Sequence, residues 1–185
     1  MSRVGKKPIL IPQGVEVKIE GNKVSAKGPK GEISREFLPE IEIAMEGDKI
    51  LVSPQKGKEE IKQVKSLWGL FRMLIFNMVE GVSSGFEKKL EIEGIGFKTE
   101  VSGDQFIMNV GFSHPVKLKI PEDLKISVEK NVITVSGINK ESVGQFAAII
   151  RKTKPTEPYK GKGIKYVGEI IKRKVGKKVA AAAGK

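Results

Sequence analysis

Ile11-Pro-Gln-Gly-Val-Glu-Val-Lys-Ile-Glu-Gly-Asn-Lys-Val-Ser-Ala-Lys-Gly28 lies without a gap over Ile120-Pro-Glu-Asp-Leu-Lys-Ile-Ser-Val-Glu-Lys-Asn-Val-Ile-Thr-Val-Ser-Gly137. Ile, Pro, Glu, Asn and Gly recur at matching places, and apolar Val15, Val17, Ile19, Val24 and Ala26 fall opposite Leu124, Ile126, Val128, Ile133 and Val135. The apolar period is two, which sends alternate side chains to one face of a pleated strand and buries that face. Each stretch therefore predicts a β-hairpin. The turns fall at Glu20-Gly-Asn-Lys23 and Glu129-Lys-Asn-Val132, with Gly or Asn expected at positive φ. Two copies of one pattern in the same order predict a duplicated fold.

The sequence outside the hairpins agrees. Ile61, Val64, Leu67, Trp68, Phe71, Leu74, Ile75 and Met78 recur at three- and four-residue spacing, the signature of a helix with one broad apolar face. Gly81 is expected to cap its C-terminus. A second helix is expected from Asn139 as N-cap, with Val143, Phe146, Ala147 and Ile150 on its buried face and Pro155 forbidding continuation. Further strands are predicted at Glu32–Phe37, Ile41–Met45, Lys49–Val52, Lys89–Glu93, Phe97–Val101, Gln105–Gly111 and Val116–Ile120. The fold class is α+β: two duplicated domains over residues 1–81 and 82–153, each an antiparallel β-sheet system with one packed helix, then a basic C-terminal extension over 154–185.

Composition removes most chemistries. With 39% hydrophobic residues the chain has enough apolar material for real cores, and with no cysteine it has neither disulfides nor thiolate metal sites. His114 is the only histidine and stands before a proline in a turn-like setting, so zinc and Ser-His chemistry lack raw material. Gly28-Pro-Lys-Gly31 and Gly161-Lys-Gly163 have neither of the spacings that build a phosphate loop. Neither enzyme activity nor a cofactor, metal or small-molecule substrate is expected. Pro8–Pro12 is too short for a signal peptide's apolar region, and Leu67–Val79 is broken by Arg72 and Asn77. A soluble, cytoplasmic protein without a membrane partner is expected.

Charge supplies the positive clue. Twelve Lys and Arg but only two acidic residues, Glu157 and Glu169, lie between Arg151 and Lys185, so this segment holds nearly all of the formal +12 net charge. Pro155 and Pro158 stiffen the segment before it docks. Gly161 and Gly163, lacking Cβ atoms, are expected to let the backbone approach a sugar–phosphate surface. Lys154, Lys160, Lys162 and Lys165 are candidates for phosphates, and Tyr159 and Tyr166 for stacking on bases or ribose. Lys172, Arg173, Lys174, Lys177 and Lys178 extend the cationic run toward Ala180–Ala183, a stretch expected to be mobile until RNA is present. Folded RNA is the expected partner, with a general DNA- or RNA-binding protein as the alternative. A chain ended at residue 153 is expected to keep both domains folded and lose RNA affinity.

Ser2-Arg-Val-Gly-Lys-Lys-Pro-Ile9, Val24-Ser-Ala-Lys-Gly-Pro-Lys-Gly31, Asn77-Met-Val-Glu-Gly-Val82, Gly111-Phe-Ser-His-Pro115 and Glu157-Pro-Tyr-Lys-Gly-Lys-Gly-Ile164 together resemble, in order and over nearly the whole chain, the bacterial type of the ribosomal protein six family of the large subunit. The resemblance implies a non-enzymatic ribosomal component with two duplicated α+β domains. It implies binding to large-subunit ribosomal RNA near the stalk base, beside the sarcin–ricin loop and the translation-factor site, with neighbouring ribosomal proteins as further partners. Carried onto this chain, the RNA-facing residues would be Lys154, Tyr159, Lys160, Gly161, Lys162, Gly163, Lys165 and Tyr166.

Overall fold

A computed structural model describes residues 2–55, 57–58 and 61–176. Of these, the residues up to Glu87 form one unit together with Ser136–Val143, and Lys88–Val135 form a second with the residues from Gly144 onward.

The first unit begins with β1 (Ile9–Leu10), β2 (Glu16–Glu20), β3 (Lys23–Gly28) and β4 (Gly31–Glu36), followed by β5 (Ile41–Glu46), β6 (Lys49–Pro54) and α1 (Lys62–Ser83). The strands make two antiparallel sheets, ordered β2-β3-β4 and β1-β6-β5. Alternation does what the pattern predicts: Val24 and Ala26 of β3 and Ile50 and Val52 of β6 are buried in one core with Val64, Trp68, Phe71, Ile75 and Met78 of α1. Phe37 meets Phe71 edge-on, ring centroids 5.0 Å apart. Trp68 is part of this core; its indole N–H donates to the Val52 carbonyl, which satisfies the one polar atom that its burial would otherwise strand.

The chain then repeats the topology. β7 (Phe86–Glu93) leads into β8 (Lys98–Ser102), β9 (Gln105–Asn109) and β10 (Val116–Lys119), then β11 (Leu124–Glu129), β12 (Val132–Gly137) and α2 (Lys140–Thr153). The sheet orders are β10-β9-β8 and β11-β12-β7-β13, where β13 (Gly163–Tyr166) is an added edge strand. Element for element, β1 to β6 and α1 correspond to β7 to β12 and α2.

The duplication is therefore real, but its register is not the one the 11–28 and 120–137 alignment suggests. β2, Glu16–Glu20, has its counterpart in β8, Lys98–Ser102, while the β11–β12 hairpin matches β5–β6, the hairpin that precedes each helix. Every one-faced hairpin has the same period and similar turn residues, so the alternation that reveals a hairpin cannot say which hairpin of the repeat it is. The turns also differ in detail: positive φ falls on Gly21 in the first and on Lys130, not Asn131, in the second.

Two further expectations change for packing reasons. Gly81 does not end α1; the helix runs to Ser83, and Gly85 at φ 77° provides the left-handed residue beyond the Ser84 cap. Gly81 is glycine because the Ile138 carbonyl and the Phe86 ring lie where a Cβ would stand. The segment beginning at 154 is not a mere extension either. Its residues 163–166 are β13, which pairs antiparallel with β7 from Gly163↔Glu93 to Tyr166↔Leu90 and fully buries Ile164. A chain ended at 153 would remove a strand and a core side chain from the second unit, which differs from the expectation that both domains survive the cut. α2, by contrast, follows its pattern: Asn139 Oδ1 accepts from the Glu141 N–H at 2.9 Å, and Val143, Phe146, Ala147 and Ile150 are buried.

Helical glycines 81 and 144 supply an opposed pair of tests. Gly81→Ala is expected to cost about 1–3 kcal/mol because backbone and ring must yield to the new methyl. Gly144→Ala, with nothing within 4 Å of its added Cβ, is expected to stabilise by about 0.5–1 kcal/mol through lost unfolded-state freedom. Urea unfolding of both variants measures the two signs.

Candidate nucleic-acid interface

The basic segment is folded back on itself by backbone bonds. α2 stops as expected before Pro155, which forms a parallel bridge with Ile164, and the Ile164 N–H donates to the Lys154 carbonyl at 2.9 Å. The Glu157 N–H then donates to Lys162 O at 2.8 Å and the Gly161 N–H to Glu157 O at 3.0 Å, so 157–162 is a closed loop. Farther along, the Lys174 N–H donates to Pro158 O at 2.8 Å, which lays the 172–174 run across that loop. Lys172, Arg173 and Lys174 are thus held by the fold. Lys177, Lys178 and Ala180–Ala183 lie outside the described residues.

Gly161 and Gly163 are both buried. Gly163, at φ 140°, passes Pro155 and Thr156 so closely that a Cβ would stand 2.7 Å from the Pro155 carbonyl oxygen. Gly161 holds φ 74°, with the Arg173 guanidinium beside it. The missing Cβ atoms serve close approach of the protein to itself, which is a different use from the one expected of them.

The candidate cations and aromatics divide into two groups. Lys165 is ion-paired, its Nζ 3.0 Å from Glu93 Oε2 and 3.5 Å from Glu91 Oε2, with its side chain only 19% exposed. Tyr166 is half-buried with the Arg151 guanidinium 5.6 Å and the Lys88 ammonium 6.0 Å from its ring centre. Lys154 places its ammonium 4.9 Å from the centre of the Phe112 ring. These three take part in contacts within the second unit. Tyr159, at 54% exposure, and Lys160, Lys172, Arg173 and Lys174 are exposed, and Lys162 is partly so. Phe112, in the turn-forming Gly111-Phe-Ser-His-Pro115, is an exposed aromatic that the basic segment's own composition does not point to. His114 is exposed there, and among the described residues no group of three or more His, Cys, Asp or Glu could hold a metal ion. No described helix is long and apolar enough to cross a membrane.

Of the segment's two acids, Glu169 is held by hydrogen bonds from its side chain's neighbours. Glu169 accepts from the Arg151 guanidinium through both carboxylate oxygens and from the Tyr166 N–H at 3.1 Å. The Arg151 bond, then the backbone bond, hold the Glu169 carboxyl below the usual glutamate value, and Arg151 is raised in turn. Glu93 is lowered in the same way, first by its hydrogen bond from Lys165 and then by the ammonium charge, while Lys165 is raised by that bond.

A profile of the family described as Ribosomal protein L6 matches residues 11–85 and again residues 93–167. The chain belongs to the ribosomal protein L6 family. The second match runs past α2 to the end of β13, so the family's repeat includes the folded half of the basic segment. Proteins named large ribosomal subunit protein uL6 are close to it over their full span. The one from Synechococcus sp. (strain JA-3-3Ab) is 52% identical, over 96% of this chain and 97% of the relative. That of Moorella thermoacetica is 52% identical over all of both chains, and that of Thermotoga maritima is 50% identical over 96% of this chain and all of the relative.

The pairs give a pH prediction with a definite sign. A carboxyl lowered in the folded state adds stability above its unfolded value, near 4.5, and that share is lost as pH falls through the lower folded value. Lys165 is raised, so its share is complete below its unfolded value and is lost only as pH rises through the higher folded one. Acid unfolding monitored by circular dichroism should therefore be shallower below about pH 4.5 in a Glu93→Gln/Glu169→Gln variant than in the native chain. Added salt should narrow the difference because both pairs are partly exposed.

Proposed function

We propose that this chain is a structural constituent of the large ribosomal subunit, working in the cytoplasm, and that its second unit anchors it to large-subunit ribosomal RNA. The family and the names its relatives carry support the assignment to the large subunit. The observation that carries the anchoring is the closed 157–162 loop, which presents Tyr159 and Lys160 with the 172–174 cations laid across it. Three backbone bonds fix cations and an aromatic in one arrangement before docking, so little order has to be created on binding. Cations held at fixed spacing neutralise phosphates and release their counterions, and an exposed ring offers a face to ribose or base.

In this reading Lys160, Lys162, Lys172, Arg173 and Lys174 contact phosphates, and Tyr159 stacks. Lys154, Gly161, Gly163, Lys165 and Tyr166 build the platform on which those residues stand. The docking region proposed is the RNA near the stalk base, beside the translation-factor site, as the family resemblance implies. The first unit, with nearly balanced charge, would face solvent, factors or neighbouring proteins.

Binding of the full chain to deproteinised large-subunit RNA, measured across a salt series, tests this. A Lys160→Ala/Lys162→Ala/Arg173→Ala variant that keeps its fold by circular dichroism should bind at least tenfold more weakly. The slope of log affinity against log salt should shrink by about one for each lost phosphate contact. Unchanged affinity and slope would move the anchor elsewhere. Equal affinity of the native chain for unrelated duplex DNA would favour a general nucleic-acid binder instead.

A further inference from the structure

Of the described aromatic side chains, Phe112 and Tyr159 are the two exposed ones. Tyr159 belongs to the 157–162 loop. Phe112 is not on that loop, yet it is brought to the same segment: Lys154, over its ring at 4.9 Å, is the residue whose carbonyl accepts from Ile164 at the base of the 157–162 loop. All five residues of Gly111-Phe-Ser-His-Pro115 are exposed, and Gly111 holds φ 78°, a conformation that favours glycine and helps set the bend that presents the ring. At 47% exposure about half of Phe112 is left open to a partner, at a bend edged by Ser113, His114 and Lys154.

We infer that Phe112, backed by Lys154, is a stacking platform for an unpaired nucleobase of the bound RNA. This rests on the RNA-anchoring reading above and adds a second contact with different chemistry. A base has an extended π face that matches a phenyl ring, and such stacking tolerates any base identity. Lys154 backs the platform: its ammonium sits over the ring, 4.9 Å from its centre, which holds the ring in place. The surroundings favour a nucleotide over an apolar protein partner. Beside the ring stand the Ser113 hydroxyl, the His114 imidazole and the Lys154 ammonium, groups that hydrogen-bond base edges and sugars. The Phe97 ring next to Gly111 is itself half-buried. A paired helix would leave the ring without a partner, because its bases are already stacked on each other. The platform therefore takes a base from a loop, bulge or flipped position.

The test compares Phe112→Ala, Phe112→Leu and Phe112→Tyr in the full chain, with the same deproteinised RNA and salt series. Because Phe112 is exposed, circular dichroism and the thermal midpoint should not move. Alanine and leucine should each weaken binding about tenfold, and tyrosine should retain it. The salt slope should stay that of the native chain, since no phosphate contact is removed. A Phe112→Trp chain adds a direct signal: stacking should quench the new indole when RNA is added, against a Trp68 background that stays constant. Native affinity in both the alanine and leucine variants, or retention by leucine alone, would overturn the stack. So would loss of a ribosomal-protein contact while RNA binding is unchanged, which would mark a protein-docking residue. If the native chain fails to bind the RNA at all, the anchoring reading itself falls. If it binds, and only the lysine and arginine substitutions weaken it, the anchor stands and the platform alone is lost.

Discussion

The passage of residue 163 beneath Pro155 holds the folded part of the basic segment in place. A Cβ there would stand 2.7 Å from a carbonyl oxygen, so only glycine lets the chain return from α2 to the edge of β7. Once that crossing is made, Ile164 is fully buried, the backbone ladder of β13 forms, and the loop between Pro155 and Gly163 has both ends clamped. Burial of one isoleucine is worth about 2 kcal/mol, enough to hold a short loop that has few apolar contacts of its own. The cations on that loop inherit its position.

A strongly basic segment faces a conflict: the charge that attracts a polyanion also repels itself. Here the conflict is resolved by position. Cations near the sheet are matched, Lys165 with Glu91 and Glu93 and Arg151 with Glu169, and Tyr166 fills the space beside them. The residues at the loop's outer side, Lys160 and the 172–174 run, remain exposed. Exposed positive charge is thereby concentrated on a loop whose backbone is held by its own hydrogen bonds, an arrangement suited to steering a polyanion. The duplicated architecture makes the specialisation visible. The first copy ends on a helix of 22 residues, whereas the second stops its helix at 14 and continues as loop and strand.

Much was legible from the chain itself. Alternation found most of the strands, three- and four-residue spacing found both helices and most of their buried faces (Ile61, expected on the first, is the exposed residue before α1), and Asn139 and Pro155 bounded α2. Charge and the Pro–Gly–Tyr spacing singled out the basic segment that the structure folds into a loop and strand. What escaped shares a cause. The two-residue β1 carries too few positions to show a period, and β13 is concealed by lysines that read as solvated although one of them is neutralised on the neighbouring strand. Gly81 looked like a helix end because a glycine required by a neighbour's carbonyl is indistinguishable, in sequence, from a glycine required by its own φ. The repeat's register was misread because hairpins in equivalent and non-equivalent places bury the same kind of face.

Sequence alone determined which segments alternate, which spiral, that the pattern is written twice, and where positive charge collects, since these depend on side-chain type and spacing along one chain. Tertiary structure alone decided which of the collected cations remain available. Lys160 and Lys165 are the same residue type five positions apart; one is exposed on the loop and the other is paired with two glutamates more than seventy residues away. Ion pairing depends on distances of a few ångströms between strands, and those distances exist only after β13 has found β7.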